Sequence, residues 1–287
     1  MLAAEHRVRG ATIMCRWLGY SGAPLYLEEL ILKPEHSLID QSLESRAGAT
    51  TTNGDGFGIG WYGDRETPGV YKDVQPAWND SNLRDLAAHI ESPLFLAHIR
   101  AATGSAVQQT NCHPFRHEKW LFVHNGLIRG FDRVKRDLAL AVAPRLYPMI
   151  TGTTDSELMF YLAQTFGLAE SPLTGLERMV GFVEKTCAEH GIEDPIQMSA
   201  GLSDGERLLA VRYSTERRSR TLFHSTSMQA LQEIYPDLKR FSPDARAVVS
   251  EPLSDLTEAW EEIPESTAVI IYRGEVERHA FEPQLPD

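Results

Sequence analysis

Four short stretches carry residue types that could do chemistry. In IMCRWLGYSG (13–22) a cysteine, Cys15, directly follows Met14. At a free N-terminus a cysteine carries its own base, because its α-amine titrates at about 7.7–8.0 and can take the thiol proton. An internal cysteine has no such neighbour. The other three stretches are HIRAATG (98–104), VHNG (123–126) and GTTDSE (152–157). Taken singly they have plain explanations. Arg100 after a strand is usually a surface charge, Asn125-Gly126 is usually a turn, and Asp155 ahead of a helical pattern is usually a cap.

Competing candidates are weaker. Cys112 lies beside His113 in TNCHPF, but neighbouring side chains on an extended chain point opposite ways. Cys187 falls inside a helical pattern and reads as a packed residue. His98, His113, His117 and His124 fall within 27 residues, and His113 and His117 have the i,i+4 spacing of ligands on a helix. Pro114 disfavours helix at His113, so no metal site is expected. Gly58, Gly60 and Gly63 in GDGFGIGWYG satisfy G-x-G-x-x-G on paper. A dinucleotide site needs a helix to open there and receive the phosphate. The next residues are DRETPGVYK, a turn, so the glycines read as a strand with close backbone packing and no cofactor is expected.

The chain has 287 residues, 42% hydrophobic and 24% charged, with a net charge of −12. A phosphate-backbone partner calls for the opposite sign, which argues against nucleic acid. The three cysteines form no C-x-x-C pair, so no zinc knuckle or disulfide framework is indicated and a reducing compartment is the simpler reading. The first residues carry charges at Glu5, Arg7 and Arg9 and lack the apolar run of about 7–15 residues that a signal peptide needs. No window approaches the roughly 18 apolar residues of a membrane span. The expectation is an acidic cytoplasmic enzyme with no membrane partner.

The elements that must position these residues can be read from pattern. Strand-like runs come at 56–63, 94–100 and 120–128. Helical patterns cover 82–90, 131–142, a segment from Asp155 capped by Thr154 or Asp155, and 172–191, which opens on a proline and closes on a glycine. Strands return at ERLLAVRYS, RTLFHSTS, ARAVVSE and STAVIIYRGEVERHAF. Strands, then long helices, then strands predict a layered α+β fold. No linker divides it, so residues 15–287 read as one domain.

The order of the motifs matters more than any one of them. Cys-Arg-Trp, then GDGFGIGWY (54–62), HIRAAT (98–103), HPF (113–115), HNG (124–126), GTTDSE (152–157) and SEPL (250–253) resemble the class II glutamine amidotransferases. These are N-terminal-nucleophile hydrolases, and the likeness is greatest to a small stand-alone bacterial group whose members begin Met-Cys-Arg. The resemblance implies an α/β/β/α sandwich of two antiparallel sheets flanked by helices. It also implies a nucleophilic Cys15, an oxyanion hole from the Asn125 amide and the Gly126 N–H, and a substrate clamp of Arg100, Thr103 and Asp155. Arg100 would take the α-carboxylate with Thr103 beside it, and Asp155 the α-ammonium.

Implied with these is hydrolysis of the glutamine γ-amide through a γ-glutamyl thioester, giving glutamate and ammonia. Ammonia would pass to a separate synthetase subunit or go unused, and a homo-oligomer is compatible with the resemblance. Relatives within the family cleave γ-glutamyl amides of small thiol compounds, as in ergothioneine biosynthesis or glutathione breakdown, and the sequence leaves that substrate class open. His224, Ser225 and Glu251 are candidates for the acceptor side, with a position on the surface as the plainer explanation. Residues 1–14 are expected to be a propeptide or a mis-assigned start, the latter favoured because initiator-methionine removal at Met14 would expose Cys15. If they are retained, the chain reads instead as a catalytically silent binding or regulatory subunit.

Overall fold

The computed structural model describes residues 15–43, 53–102, 105–226, 228 and 241–286. Thr103 and the 1–14 segment lie outside them.

In chain order the strands are β1 (Arg16–Tyr26), β2 (Phe57–Trp61), β3 (Gly69–Asp73), β4 (Glu91–Ile99), β5 (Phe115–His117), β6 (Trp120–Ile128), β7 (Ile196–Ser203), β8 (Leu208–Ser214), β9 (Phe223–Ser225), β10 (Arg246–Val249), β11 (Trp260–Glu262), β12 (Thr267–Tyr272) and β13 (Glu275–Ala280). The α-helices are α1 (Glu28–Ile31), α2 (Leu38–Leu43), α3 (Ser81–His89), α4 (Phe131–Ala141), α5 (Asp155–Thr165) and α6 (Pro172–Glu189). One sheet runs β11-β9-β10-β1-β4-β2-β3 and the other β13-β12-β8-β7-β6-β5. The pairings in both are antiparallel.

Alternation along the strands divides the apolar residues into three layers. On β1, Trp17 faces the space between the sheets with Leu94, Leu96, Leu121 and Val123. Leu18 and Tyr20 face the other way, into the core shared with α1, α2 and α3. On β6, Phe122 turns outward to a third core under α4, α5 and α6. Helix, sheet, sheet, helix is therefore the layer order, and the expected α/β/β/α sandwich is borne out.

Local signals set the helices close to where the sequence puts them. The Thr154 hydroxyl accepts from the Glu157 N–H at 3.2 Å, which makes Thr154 the N-cap of α5. Every residue of α5 from Ser156 to Gln164 is buried, with Ser156 and Glu157 among them held by hydrogen bonds at its first turn. The glycines of β2 are packing positions: a Cβ on Gly58 would run into the His113 carbonyl, and one on Gly60 into Leu121 and Pro114.

Strands β1 and β7 were not legible as strands. β1 mixes Gly19, Gly22 and Pro24 with its aromatics, and β7 carries small residues (Ser199, Ala200, Gly201) on two covered faces. His224, Ser225 and Glu251 are not surface residues: they are buried, and each has a structural partner. Glu251 pairs with Arg16 at 2.9 Å, Ser225 Oγ accepts from the Ala247 N–H at 2.9 Å, and His224 lies 3.1 Å from the Arg278 guanidinium.

The helical core under the second sheet turns on an aromatic stack, with the Phe122 and Phe160 rings 5.5 Å apart and 7° from parallel. Phe160 is fully buried, so Phe160→Ala leaves a cavity the surrounding helices cannot close. The expected loss is about 3–5 kcal/mol of unfolding free energy, read from the urea midpoint with the m-value unchanged.

Candidate active site

Cys15 stands directly before β1, and the β1–β4 register sets its surroundings. Arg16 is opposite Ile99, so the position before Arg16 falls beside Arg100. The Cys15 thiol donates to the Ala101 carbonyl (3.4 Å) and accepts from the Ala101 N–H (3.3 Å). Continuing the alternation of β1, it shares the face of Trp17 and points between the sheets. Arg16 points the opposite way, where its guanidinium pairs with Glu251 at 2.9 Å and donates back to the Cys15 carbonyl at 3.1 Å.

The second sheet brings Asn125 and Gly126 to the same end. Asn125 shares the inter-sheet face of Leu121 and Val123 and is 4% exposed. Its cross-strand partner is Ser199, whose hydroxyl accepts from the Trp17 indole N–H at 2.9 Å. The His98 ring on β4 lies 3.2 Å from the His124 carbonyl, directly before Asn125. Two polar contacts thus tie the sheets together here, one from β4 to the strand that carries Asn125 and one from β1 to its neighbour β7. At Gly126 a Cβ would collide with the Gln197 carbonyl across β7, so glycine is required for the pairing itself.

Asp155 opens α5 with its carboxylate already oriented. One oxygen accepts from the Ile128 N–H at 2.8 Å and the other from the Ser156 N–H at 2.7 Å. The Ser156 hydroxyl in turn meets the His124 ring at 2.8 Å, closing a chain from the helix to the strand of Asn125. Asp155 lines a cavity of about 630 Å³ with Ser105, Ala106, Ile128 and Thr153. Each carboxylate oxygen retains capacity for a further donor.

Arg100 is 3% exposed, and its guanidinium is held by its own loop and by the Asp55 carbonyl. It donates to the Asp55 carbonyl (3.1 Å), the Ser105 hydroxyl (2.7 Å), the Ser105 carbonyl (3.4 Å) and the Ala106 carbonyl (3.2 Å). Its loop carries the wall of the Asp155 cavity, so the cation is next to that space rather than open to it. The structure therefore gathers Cys15, Arg100, Asn125, Gly126 and Asp155 at one end of the sandwich.

The electrostatics are those of a desolvated, cationic site. Burial pushes the Cys15 thiol up, against the Ala101 hydrogen bond and the charges of Arg100, Arg16 and Arg220, which favour the thiolate. Among the described residues no titratable side chain hydrogen-bonds to the sulfur. The histidines nearby are not bases in waiting. Burial lowers His98 to about 3, lowers His113 well below the usual range, and lowers His124 despite the opposing charge of Asp155.

The competing cysteines are structural. Cys112 is buried with its sulfur 3.4 Å from the Asp73 carbonyl, and Cys187 is buried in α6. Among the described residues no group of His, Cys, Asp or Glu is arranged to hold a metal, and no helix is long and apolar enough to cross a membrane. Sequence reasoning missed Arg220, Trp17 and Ser199. Arg220 opens the strand-like run RTLFHSTS, and only its spatial nearness to Cys15 distinguishes it from the chain's other arginines.

Comparison with known proteins agrees with this geometry. The family model described as "Glutamine amidotransferases class-II" matches residues 32–286, a range that begins after Cys15. "Probable glutamine amidotransferase DUG3" of Saccharomyces cerevisiae is 29% identical over 93% of this chain and 84% of its own length. A gamma-glutamyl-hercynylcysteine sulfoxide hydrolase of Mycolicibacterium smegmatis is 28% identical over 88% of this chain and 93% of its own. Among solved structures, a glutamine aminotransferase class-II domain protein from Silicibacter pomeroyi superposes with a TM-score of 0.70 and 31% identity, covering 94% of this chain and 100% of that one. Glutamine phosphoribosylpyrophosphate amidotransferase from Bacillus subtilis shares the fold with a TM-score of 0.62 at 16% identity, over 94% of this chain and 50% of its own.

The buried histidines make stability depend on pH. His98 stays neutral in the folded chain down to about pH 3, whereas an unfolded histidine takes up a proton below about 6.5. Its contribution is complete above about pH 6.5 and is lost as pH falls from there toward 3. Between pH 7 and pH 5 it accounts for about 2 kcal/mol of lost unfolding free energy. Urea titrations at the two pH values should show this loss shrinking by that amount in His98→Gln, whatever the variant's stability at pH 7.

Proposed function

The chain belongs to the class II glutamine amidotransferases and is an amidohydrolase, and from that premise we propose that it hydrolyses a γ-glutamyl amide with Cys15 as an N-terminal nucleophile. One observation carries this reading. The Cys15 sulfur lies at the end of the sandwich that also holds Asn125, Gly126 and Asp155, yet among the described residues no side-chain base hydrogen-bonds to it. A nucleophile so placed needs its proton taken by the group nearest to it by covalent structure, its own α-amine, once Cys15 is the first residue.

In this mechanism the amine removes the thiol proton, directly or through water, and the thiolate attacks the γ-carbonyl carbon. The Asn125 amide and the Gly126 N–H stabilise the oxyanion. The tetrahedral species collapses to a γ-glutamyl thioester, and the leaving amine takes the proton. Water then cleaves the thioester, returning the thiol and releasing glutamate. The charges of Arg16, Arg100 and Arg220 favour thiolate over thiol and offset part of what burial costs.

Recognition of the head group falls to Asp155 for the α-ammonium and to Arg100, with Thr103, for the α-carboxylate. Asp155 is fixed by two backbone donors and keeps lone pairs for a cation. Arg100 reaches a carboxylate by exchanging its Ser105 and Ala106 contacts for the substrate's oxygens. Glutamine, with ammonia leaving, is the parent substrate. The M. smegmatis relative, named a γ-glutamyl hydrolase, favours a second reading in which only the leaving group differs and a small γ-glutamyl compound is cleaved.

Mass spectrometry of the protein from its own host is expected to find a chain beginning at Cys15. That chain should release glutamate from glutamine, and Cys15→Ala should abolish release while unfolding at the same urea concentration. Asn125→Ala should lower kcat by about 10²–10³ for loss of one oxyanion donor. A chain that keeps Met1 and releases neither glutamate nor ammonia overturns the enzyme reading in favour of a silent subunit. Activity surviving Cys15→Ala would move the nucleophile elsewhere.

A further inference from the structure

Arg220 takes no part in the chemistry at the thiol except as one of several charges near it. Its segment joins β8 to β9 and is firmly held. The Ser219 N–H and hydroxyl donate to Glu265 at 2.8 and 2.6 Å, and the Ser214 N–H donates to the other oxygen of the same carboxylate at 2.8 Å. On one side of Arg220 the Gln197 amide donates to the Arg218 carbonyl at 3.0 Å, and on the other the Thr221 hydroxyl donates to the Ser250 carbonyl at 3.0 Å. Ser250 is bonded to the backbone of Trp17 in both directions, through its hydroxyl and through its N–H. The loop thus spans from the second sheet to the start of β1, at the nucleophile's end of the sandwich.

Position relative to β1 gives the loop its meaning. β1 has two neighbours in its sheet, β4 on one flank and β10 on the other. Arg100 continues β4, while Thr221, the neighbour of Arg220, is tied to Ser250, which continues β10. The segments that carry the two arginines therefore flank Cys15 from opposite sides. Arg16 has Glu251, and Arg100 has its loop carbonyls. Arg220 has neither: its Nε is buried without a hydrogen-bond partner among the described residues. A buried guanidinium nitrogen left unpaired costs free energy that an incoming anion can recover.

We propose that Arg220 is a specificity-determining residue that receives a carboxylate carried by the amine leaving group, so that the favoured substrate is the γ-glutamyl amide of an amino acid or short peptide rather than glutamine. This rests on the reading of Cys15 as the nucleophile and adds the substrate class to it. With the glutamyl head on the Arg100 side of the thiol, the group beyond the scissile bond projects toward the β10 flank, where Arg220 waits. Ammonia, the product leaving group from glutamine, carries no anion for this cation to hold. The reaction is the same hydrolysis: the C–N bond breaks, the C–S bond forms, the thiol proton goes to the amino acid's nitrogen, and water then restores the thiol.

The test compares γ-glutamyl-alanine with γ-glutamyl-alaninamide, which differ only in the carboxylate, using the chain that begins at Cys15. The wild-type kcat/KM should favour the free acid by about tenfold or more, as expected for one charge-assisted hydrogen bond. Arg220→Gln should bring that ratio toward one, and Arg220→Lys, which keeps the charge, should retain most of it. Because each ratio is internal to one preparation, partial unfolding of a variant does not disturb it. A wild-type ratio near one, or an equal ratio in wild type and Arg220→Gln, overturns the proposal while leaving the Cys15 reading standing if glutamate is still released. Absence of glutamate release from either compound and from glutamine overturns both.

Discussion

The contact on which the site depends is the hydrogen bond between the Trp17 indole and the Ser199 hydroxyl, made across the apolar layer between the sheets. The proposed nucleophile belongs to one sheet and the proposed oxyanion donors to the other, so no strand pairing can fix their separation. That distance is set by how the two sheets dock. Apolar packing alone tolerates small slips, because Leu and Val contacts are nearly interchangeable over fractions of an ångström. A buried donor and acceptor are less forgiving: displaced, both lose their partners where no water can replace them. The His98 contact to the His124 carbonyl adds a second such pin one strand away. Both fall within two positions of a proposed reacting group.

Charge is managed with the same economy of position. Arg16, Arg100 and Arg220 all favour a thiolate at Cys15, yet each is handled differently. Arg16 is neutralised on the outer face of its sheet by Glu251, far enough round the strand to leave the inner face free. Arg100 is shielded by the Asp55 and Ala106 carbonyls and the Ser105 hydroxyl. The histidines contribute no charge, since burial keeps them neutral, and so they serve as hydrogen-bonding spacers within the sandwich. Among the described residues, a cationic field with no base bonded to the thiol suits the proposed nucleophile, which would bring its own amine.

How much of this was legible in the sequence depends on whether the signal was local. Helices α3 to α6 were, because caps, a leading proline and 3.6-residue spacing are written in consecutive residues. Cys15, Arg100, Asn125, Gly126 and Asp155 are candidates singled out by the order of short motifs, and the fold brings them to one end. β1 escaped because its glycines and Pro24 interrupt the alternation, although it is the strand on which the site is built. Glu251 read as a surface residue because nothing in SEPL reveals Arg16, 235 positions away in sequence. Arg220 escaped for the same reason: among the sequence's many arginines, only three-dimensional nearness to Cys15 singles it out.

That nearness also bears on how one scaffold serves different leaving groups. The head-group side of the proposed site is built from the ends of β4, β6 and α5, all tied to sheet positions that cannot move without disturbing the core. The opposite side is a loop between β8 and β9, anchored by the Glu265 carboxylate through side-chain and backbone donors rather than by strand pairing. Its residues can change without altering the sandwich. The proposed fixed clamp for the glutamyl head beside a replaceable wall for whatever leaves it would separate recognition of the acyl half from recognition of the amine half. On this architecture, substrate identity is to be sought in the 215–222 connection, because the motifs that reveal the family lie almost entirely on the other side of the thiol.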